Sequence, residues 1–127
     1  MLFRSDISIT AGARANATLT TPGATKWYRS AGAWGRQQVS IEAIGGACVE
    51  WLPQEGIVFD RARARNTLDV RLAGDAAYIG WDILCLGRIG SGERFAEGAY
   101  HTRTRITRDG RLLWFENGHI EIGRAHV

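Results

Sequence analysis

The sequence predicts an all-β protein, a β-helical, solenoid-like stack of short strands joined by glycine turns. Three observations lead to this fold class. Few windows carry apolar residues at the 3.6-residue period of a helix, and 16 of the 127 residues are glycine. Short segments with apolar residues at alternate positions recur along the chain instead. Three of these segments follow one plan and lie about thirty residues apart, as stacked repeat units do.

The predicted strands are short and rich in β-branched, aromatic or leucine residues, and several alternate apolar with polar positions. In chain order they are Ile7–Ile9, Ala17–Thr20, Val39–Glu42, Val49–Trp51, Ile57–Phe59, Leu68–Leu72, Tyr78–Trp81 and Thr104–Thr107. The dipeptide Asp109-Gly110, between Ile106 and Leu112, is typical of a hairpin turn. The chain is therefore expected to fold back on itself at that point.

Each repeated segment consists of an alternating strand, a glycine turn and an alanine that opens a second strand. The three segments begin at Ile7, Val39 and Leu68. The alanines that align across them are Ala13, Ala47 and Ala76. Stacked units of this kind bury a shared core and leave their turns along one edge. From the residues alone, a β-sandwich explains the same strands equally well.

Composition narrows the classes of function. Apolar residues make up 45% of the chain and charged residues 23%, the balance of an ordinary globular domain, and the length suffices for one core. No apolar run approaches the roughly 18 residues that cross a membrane, and Arg4 and Asp6 interrupt any N-terminal signal core. We expect a cytoplasmic protein in which Cys48 and Cys85 are buried free thiols.

The net charge of +3 and the pI of about 9.3 raise the question of nucleic-acid binding. Lys26 is the only lysine among the 16 basic residues, and acidic residues separate most of the arginines. Arg61, Arg63 and Arg65 alternate with alanine, so on a strand their guanidinium groups would share one face. Such a stripe could bind phosphate or an acidic partner, or it could be a solvated sheet face or edge. A nucleic-acid partner is not expected.

No arrangement of residues typical of an enzyme is found. His101, His119 and His126 have no partner at metal-ligand spacing, and the serines lack a Gly-x-Ser-x-Gly elbow. We therefore assign no catalytic residue and no firm metal ligand. The sequence favours a binding or scaffolding protein that is not an enzyme.

Carboxylates in apolar surroundings are the most informative polar residues. Asp82, Glu50 and Glu55 all lie in such stretches. A buried carboxylate is unfavourable unless it is paired, and Arg88 or Arg94 could pair with Asp82. Alternatively, these acids line a wet passage for a cation. Oxygen ligands hold a divalent metal loosely enough to pass it on, whereas a cage of histidines and cysteines would trap it.

Three blocks, residues 22–30, 46–59 and 81–88, together resemble one family, the UreD-type (UreH-type) urease accessory proteins. The resemblance extends from about Ser5 to about His119. The residues that carry it are Lys26, Tyr28, Arg29, Glu50, Trp51, Pro53, Gln54, Trp81, Gly87, Arg88 and Glu93.

The resemblance implies a β-helical fold and a role as a chaperone that helps to load nickel into apo-urease. It implies contact with apo-urease on one side and with a UreF-type protein on the other. A UreG-type GTPase would be recruited indirectly through the UreF-type protein. Nickel would pass transiently, with no tightly bound cofactor, through a tunnel whose polar positions fall at Thr25, Asp82 and Glu116.

Members of this family are longer, so residues 1–120 are interpreted as a partial UreD-type β domain that is incomplete at both ends. Residues 121–127 read like a translated sequencing adapter and are interpreted as a non-native tail. The alternative function is a generic β-solenoid module that binds carbohydrate or protein, which five tryptophans suggest. Trp27, Trp51, Trp81 and Trp114 lie among apolar neighbours, however, and are expected in the core.

Overall fold

The structure of the protein, a computed structural model, describes residues 3–123. In this range strands dominate, and Ile89–Ser91 form a single 3₁₀ turn. The strands are β1 (Arg4–Ala11), β2 (Asn16–Leu19), β3 (Thr25–Trp27), β4 (Gly35–Ala43), β5 (Cys48–Trp51), β6 (Gly56–Val58), β7 (Arg63–Leu72), β8 (Ala77–Gly80), β9 (Leu84–Leu86), β10 (Gly98–Arg108) and β11 (Arg111–Ile122). No helix within these residues is both long and apolar enough to cross a membrane.

The strands wind into a solenoid of three coils, formed by β1–β3, β4–β6 and β7–β9. Each coil gives one strand to each of three sheets, in the orders β1-β4-β7-β10-β11, β2-β5-β8 and β3-β6-β9. Neighbouring strands are parallel except β10 and β11, which are joined by Asp109 and Gly110. Both turn residues have left-handed φ angles (48° and 79°), as a two-residue hairpin of type I′ requires. The predicted fold class and the predicted hairpin turn are confirmed.

Alternate residues of the five-stranded sheet point into the solenoid and stack from coil to coil. Ile9 pairs with Ile41, and Ile41 pairs with Val70. Ile41 and Val70 are completely buried in an apolar cluster that also contains Val49 and Trp51. A second cluster consists of Trp27, Val58, Ala62, Ala64 and Tyr100. The core is therefore divided into two parts.

The turns that lead into the second sheet share one hydrogen-bond pattern, in which Ala15, Ala47 and Ala76 each donate a backbone N–H to the carbonyl three residues earlier. The carbonyl of Ala15 accepts a hydrogen bond from the first residue of β5 (2.8 Å), and that of Ala47 accepts one from the first residue of β8 (2.8 Å). Ala15 is thus the equivalent of Ala47, and the predicted alignment of Ala13 was wrong by two residues. The first turn hides its periodicity because Arg14 has the positive φ (59°) that Gly46 has in the next turn (74°). The positive φ lies one position earlier in the third turn, at Gly74.

Two aspartates connect successive turns along this edge, Asp75 in the turn of the third coil and Asp109 in the hairpin turn. Asp75 Oδ1 accepts a hydrogen bond from the backbone N–H of Gly46 (2.6 Å), and Asp109 Oδ1 accepts one from Gly74 (3.0 Å). We expect Asp75→Ala to lower the free energy of unfolding by about 1 kcal/mol, since it leaves the Gly46 donor without its charged acceptor. Urea denaturation checks this. Asp75→Asn, which keeps an acceptor oxygen, should retain most of the stability, and equal losses in both variants would contradict the assignment.

The structure corrects several expectations about single residues. Trp27 and Trp51 are buried as predicted, but Trp81 and Trp114 are about half exposed (52% and 55%), so their assignment to the core was wrong. A residue with apolar neighbours in sequence is still exposed where no other strand covers its side chain. The strands β3 and β9 are absent from the predicted strands, although β6, which is equally short, was found through its apolar run Ile57–Phe59.

The arginine stripe is shorter than predicted. Arg63 and Arg65 lie on β7 and share its outer face, whereas Arg61 precedes the strand in a left-handed conformation (φ 66°). Cys48 and Cys85 are free, as predicted, but they are only partly buried. The interpretation of residues 121–127 as a tail stays a prediction; residues 124–127, including His126, lie outside the described residues.

Candidate functional site

A small polar cavity lies inside the solenoid between the two parts of the core. Its walls include Val39 and Trp51 from one cluster and Trp27 and Tyr100 from the other. Its volume is about 50 Å³, which holds a few water molecules at roughly 10–15 Å³ for each water centre. The polar residues that line it are Thr25, Gln37, Gln54, Asn66, Asp82, Tyr100, Thr102 and Thr104.

Part of this lining belongs to a polar row, which we define as Ser5, Gln37, Asn66 and Thr102. These residues pair with one another across β1, β4, β7 and β10. Gln37 Nε2 donates to Asn66 Oδ1 (3.4 Å), and Asn66 Nδ2 donates to the Tyr100 hydroxyl (3.1 Å). The polar row therefore crosses every coil of the solenoid, beside the apolar rows of the same sheet.

The polar row was missed in the sequence, although the repeat contained the signal for it. Ser5, Gln37 and Asn66 each lie two residues before the apolar residue that opens a repeated segment. Two residues along a strand return to the same face, so these polar residues had to point inward with the apolar ones. Reading the repeat further toward its N-terminal side would have found them.

The three predicted tunnel residues lie at or beside the cavity. Thr25 and Asp82 line it directly. Glu116 of β11 pairs with Thr104 of β10, which also lines the cavity. The structure thus brings together residues that are far apart in sequence.

Asp82 lies at an open side of the cavity, in the connection between β8 and β9. The residue keeps exposed surface, yet the protein around its carboxyl raises the pKa of Asp82 above the ordinary value of 3.8. Desolvation is the main cause, and repulsion by the charge of Glu116 is the second. The ionised carboxylate is therefore held in surroundings that disfavour its negative charge, and a cation placed there would relieve this.

The negative charge of Asp82 also contributes to the raised pKa values of two tyrosines, Tyr78 and Tyr100. Burial raises the pKa of Tyr78 to about 12, and the negative charge of Asp82 adds to the effect. The pKa of Tyr100 is also raised, first by desolvation and second by Asp82, against a smaller opposing effect of its hydrogen bond with Asn66. Both phenols stay neutral at physiological pH, and the hydroxyl of Tyr100, which lines the cavity, can donate or accept hydrogen bonds there.

Asp82 has no ion-pair partner within residues 3–123, so of the two alternatives left open for it, pairing with Arg88 or Arg94 was wrong. Arg88 pairs with Glu93 instead, with 2.7 Å between Nη2 and Oε1. Glu93 Oε2 also accepts hydrogen bonds from the backbone N–H groups of Asp60 and Arg88. The hydrogen bond from the Arg88 side chain is the main reason that the pKa of Glu93 falls to about 2. These two family-motif residues therefore hold a loop together.

The block Glu50–Gln54 divides between the cavity and the surface. Trp51, Pro53 and Gln54 line the cavity, together with Trp81, whose indole N–H donates to the carbonyl of Pro53 (2.8 Å). Glu50 points away from it, and its carboxylate accepts a hydrogen bond from the Thr18 hydroxyl (2.5 Å). Glu55 does not line the cavity either. The idea that these two glutamates line the passage was therefore wrong.

The remaining motif residues lie on the outside or in turns. Lys26 is exposed on β3, and Tyr28 and Arg29 follow it on the surface. The Tyr28 ring packs edge-on against Phe59, with 5.0 Å between the ring centroids. Gly87 stands in a left-handed conformation (φ 83°) after β9. These residues shape the solenoid rather than the cavity.

The described residues hold no group of three or more His, Cys, Asp or Glu side chains that could bind a metal ion. His101 and His119 were not expected to meet, but they face each other across β10 and β11 and stack with centroids 4.1 Å apart. His101 Nε2 lies 3.4 Å from Glu121 Oε1. In the lining of the cavity, the side-chain oxygen atoms that could coordinate a cation belong mostly to neutral hydroxyl and amide groups, and one side chain, Asp82, supplies a carboxylate.

Comparison with known proteins gives consistent matches. The family model described as UreD urease accessory protein matches residues 4–127. The urease accessory protein UreD of Dechloromonas aromatica (strain RCB) is 54% identical over 112 residues, which are 88% of this chain and 39% of that protein. The UreD of Azoarcus sp. (strain BH72) is 52% identical over 119 residues, 94% of this chain and 42% of that protein. The chain thus spans about two-fifths of the length of these curated relatives.

Proposed function

The chain belongs to the family of UreD urease accessory proteins, and on this premise we propose that it serves urease maturation as a scaffold through which nickel reaches apo-urease. The proposed passage is the cavity with Thr25 and Asp82 in its lining and Glu116 beside it. The observation that supports it is the polar row, which runs from coil to coil within a core that is otherwise apolar.

The chemistry of the lining suits an ion in transit. Hydroxyl, amide and carboxylate oxygens bind Ni²⁺ more weakly than imidazole nitrogen and thiolate sulfur do. The two acidic side chains, Asp82 and Glu116, repel each other. A divalent cation near them would remove that repulsion, and it could leave again because no set of strong ligands encloses it. Nickel is the cargo in this proposal, not a resident cofactor.

We further propose that the longer protein contacts apo-urease on one side and a UreF-type protein on the other, in the cytoplasm. A UreG-type GTPase would deliver nickel through the UreF-type protein. Exposed apolar side chains on β11, namely Leu112, Leu113, Trp114 and Phe115, support the existence of a protein contact on that strand. Half-exposed Trp81 and Trp114 also favour the alternative, a carbohydrate-binding module, but the indole N–H of Trp81 is already bonded to the backbone.

Asp82→Asn tests the proposed passage. We expect it to lower the nickel content of urease matured with the accessory proteins, because the amide lacks the charge that attracts the cation. At neutral pH the same change should raise the melting temperature. A carboxyl whose pKa is raised on folding destabilises the folded state when it is ionised, and asparagine removes that charge.

Asp69→Asn is the matched control, since Asp69 lies on the outer face of β7, away from the cavity, where its carboxylate accepts a hydrogen bond from Gln38 Nε2 (3.1 Å) and lies 3.8 Å from Arg103. Nickel content is measured by elemental analysis of the purified urease, and assembly of the complex by size-exclusion chromatography. Normal nickel loading with Asp82→Asn would refute the passage. Loss of loading together with loss of assembly would show that Asp82 acts in docking rather than in passage.

A further inference from the structure

The outer face of the five-stranded sheet carries a row of basic residues, which we call the arginine row and define as Arg4, Arg36 and Arg65. Arg4 pairs with Arg36 across β1 and β4, and Arg36 pairs with Arg65 across β4 and β7. Neighbouring strands are about 4.8 Å apart, so the three residues span about 10 Å. His101 and His119 continue the same row on β10 and β11.

Like charges directly opposite one another destabilise a sheet, and the charge of this row is compensated only in part. Arg4 Nε lies 3.2 Å from Asp6 Oδ2, in a pair that is largely exposed and therefore weak. Arg36 forms no ion pair among the described residues. Elsewhere on the same face, Arg71 has an acidic partner on the neighbouring strand, Glu42, at 3.2 Å. The repulsion between the arginines of this row lowers the stability of the sheet, so folding alone does not explain why they lie side by side.

Aromatic packing holds one end of the arginine row in place. The guanidinium carbon of Arg65 lies 5.0 Å from the centroid of the Trp34 ring, and that of Arg63 lies 5.9 Å from it. Stacking on an aromatic ring restricts an arginine while leaving its N–H groups free to bind a carboxylate in a bidentate manner. These arginines are thus oriented before any partner arrives.

Two surface depressions adjoin at Arg4. One, of about 330 Å³, is lined by the arginine row with Asp6, Gln37, Gln38 and Thr67. The other, of about 840 Å³, is lined by Phe3, Trp27, Tyr28 and Trp34 with Arg4, Arg29 and Arg63 among its remaining residues. A basic depression thus continues into a groove with aromatic walls.

We propose that the arginine row and the aromatic groove together bind an acidic segment of a partner protein, with an apolar side chain in the groove. Three residues of extended peptide also span about 10 Å, so carboxylates along such a segment can reach all three arginines. Asp6 and Asp69 on the same face interrupt the positive charge and would repel a continuous tract of phosphates. Gln38 and Thr67, whose side chains are hydrogen-bonded to each other on this face, add uncharged polar groups that suit a peptide. This proposal does not depend on the nickel passage.

The test uses the 127-residue chain and a fluorescein-labelled peptide of about nine glutamates with one central leucine, followed by fluorescence anisotropy at low salt. We expect binding that weakens as salt is added, and dissociation constants about fivefold higher for Arg36→Gln and for Arg65→Gln. The control Arg111→Gln, at the far end of the sheet beside the hairpin turn, should leave the affinity unchanged. Because Arg36 is exposed and unpaired within the described residues, its substitution should not disturb folding, which thermal unfolding checks.

Three results would overturn the proposal. The first is an affinity for the glutamate peptide no higher than that for a matched lysine peptide. The second is equal binding by wild type, Arg36→Gln and Arg65→Gln. The third is tighter binding of oligothymidylate or of inorganic phosphate than of the peptide, with the same dependence on Arg36, which would assign the arginine row to a nucleic acid or to a free oxyanion.

Discussion

Trp27→Ala is expected to lower the free energy of unfolding by about 3–5 kcal/mol, the largest effect of any single substitution considered for this chain. Trp27 is 3% exposed and is the largest side chain of its apolar cluster. Its ring packs edge-on against Phe3 and Tyr100, with centroids 5.1 and 6.2 Å away. It is also a wall of the polar cavity. Its removal joins the cavity to a new void, so water should enter the core.

Urea denaturation measures this loss, with Tyr28→Ala as the matched control. Tyr28 is the next residue in sequence but is 63% exposed and contacts Phe59 edge-on. The control should lose only about 0.5–1.5 kcal/mol, the value of such an aromatic pair. Similar losses in both variants would mean that the cluster around Trp27 does not form a tight core.

Gly87→Ala is expected to destabilise the protein by about 2–4 kcal/mol. Gly87 has a φ of 83°, and its backbone N–H donates to the carbonyl of Val58 (2.7 Å). A Cβ at this position would lie 2.9 Å from the carbonyl oxygen of Glu93 and 2.9 Å from the backbone nitrogen of Phe95. Both neighbours are backbone atoms, so neither can move aside without shifting the loop that Arg88 and Glu93 hold together.

Gly90→Ala is the control for this effect. Gly90 lies three residues further along, has no left-handed φ, and has open space where a Cβ would be. Its substitution should change the stability by less than about 0.5 kcal/mol, as most surface changes do. Thermal and urea unfolding of both variants compare them directly. A stable Gly87→Ala variant would show that the loop after β9 is free to rearrange.

The sequence could predict the fold because its strongest signal is repeated. Ile7, Val39 and Leu68 each open an alternating strand, and the structure places them in register in one sheet. The turns were harder to predict, since one of them uses Arg14 where a glycine is expected. The exposure of Trp81 depends on whether another strand covers it. Local composition does not contain that information.

Without the family resemblance, from which Thr25 and Glu116 were predicted, a site residue could be recognised only where a polar residue lies among apolar sequence neighbours. Asp82 stood out in an apolar stretch and does line the cavity. Glu50 stood out for the same reason, but it lies on the other face of its strand. Asn66 and Gln37 did not stand out, because polar residues are common in alternating strands. Their inward orientation becomes visible only when the repeat is extended two residues toward its N-terminal side, where each lies in phase with the apolar residue that opens its segment.

The connectivity of the sheets also has a kinetic consequence. Ile7 and Val39, and likewise Val39 and Leu68, must find each other across about thirty residues of chain, and closing such loops is entropically unfavourable. The hairpin of β10 and β11 needs only a two-residue turn and can form within about 1–10 μs. It then offers β10 as an edge on which β7 can pair. We expect assembly on this template to proceed from β10 toward β1, opposite to the order of synthesis on the ribosome, so that the earlier strands emerge before the template that orders them.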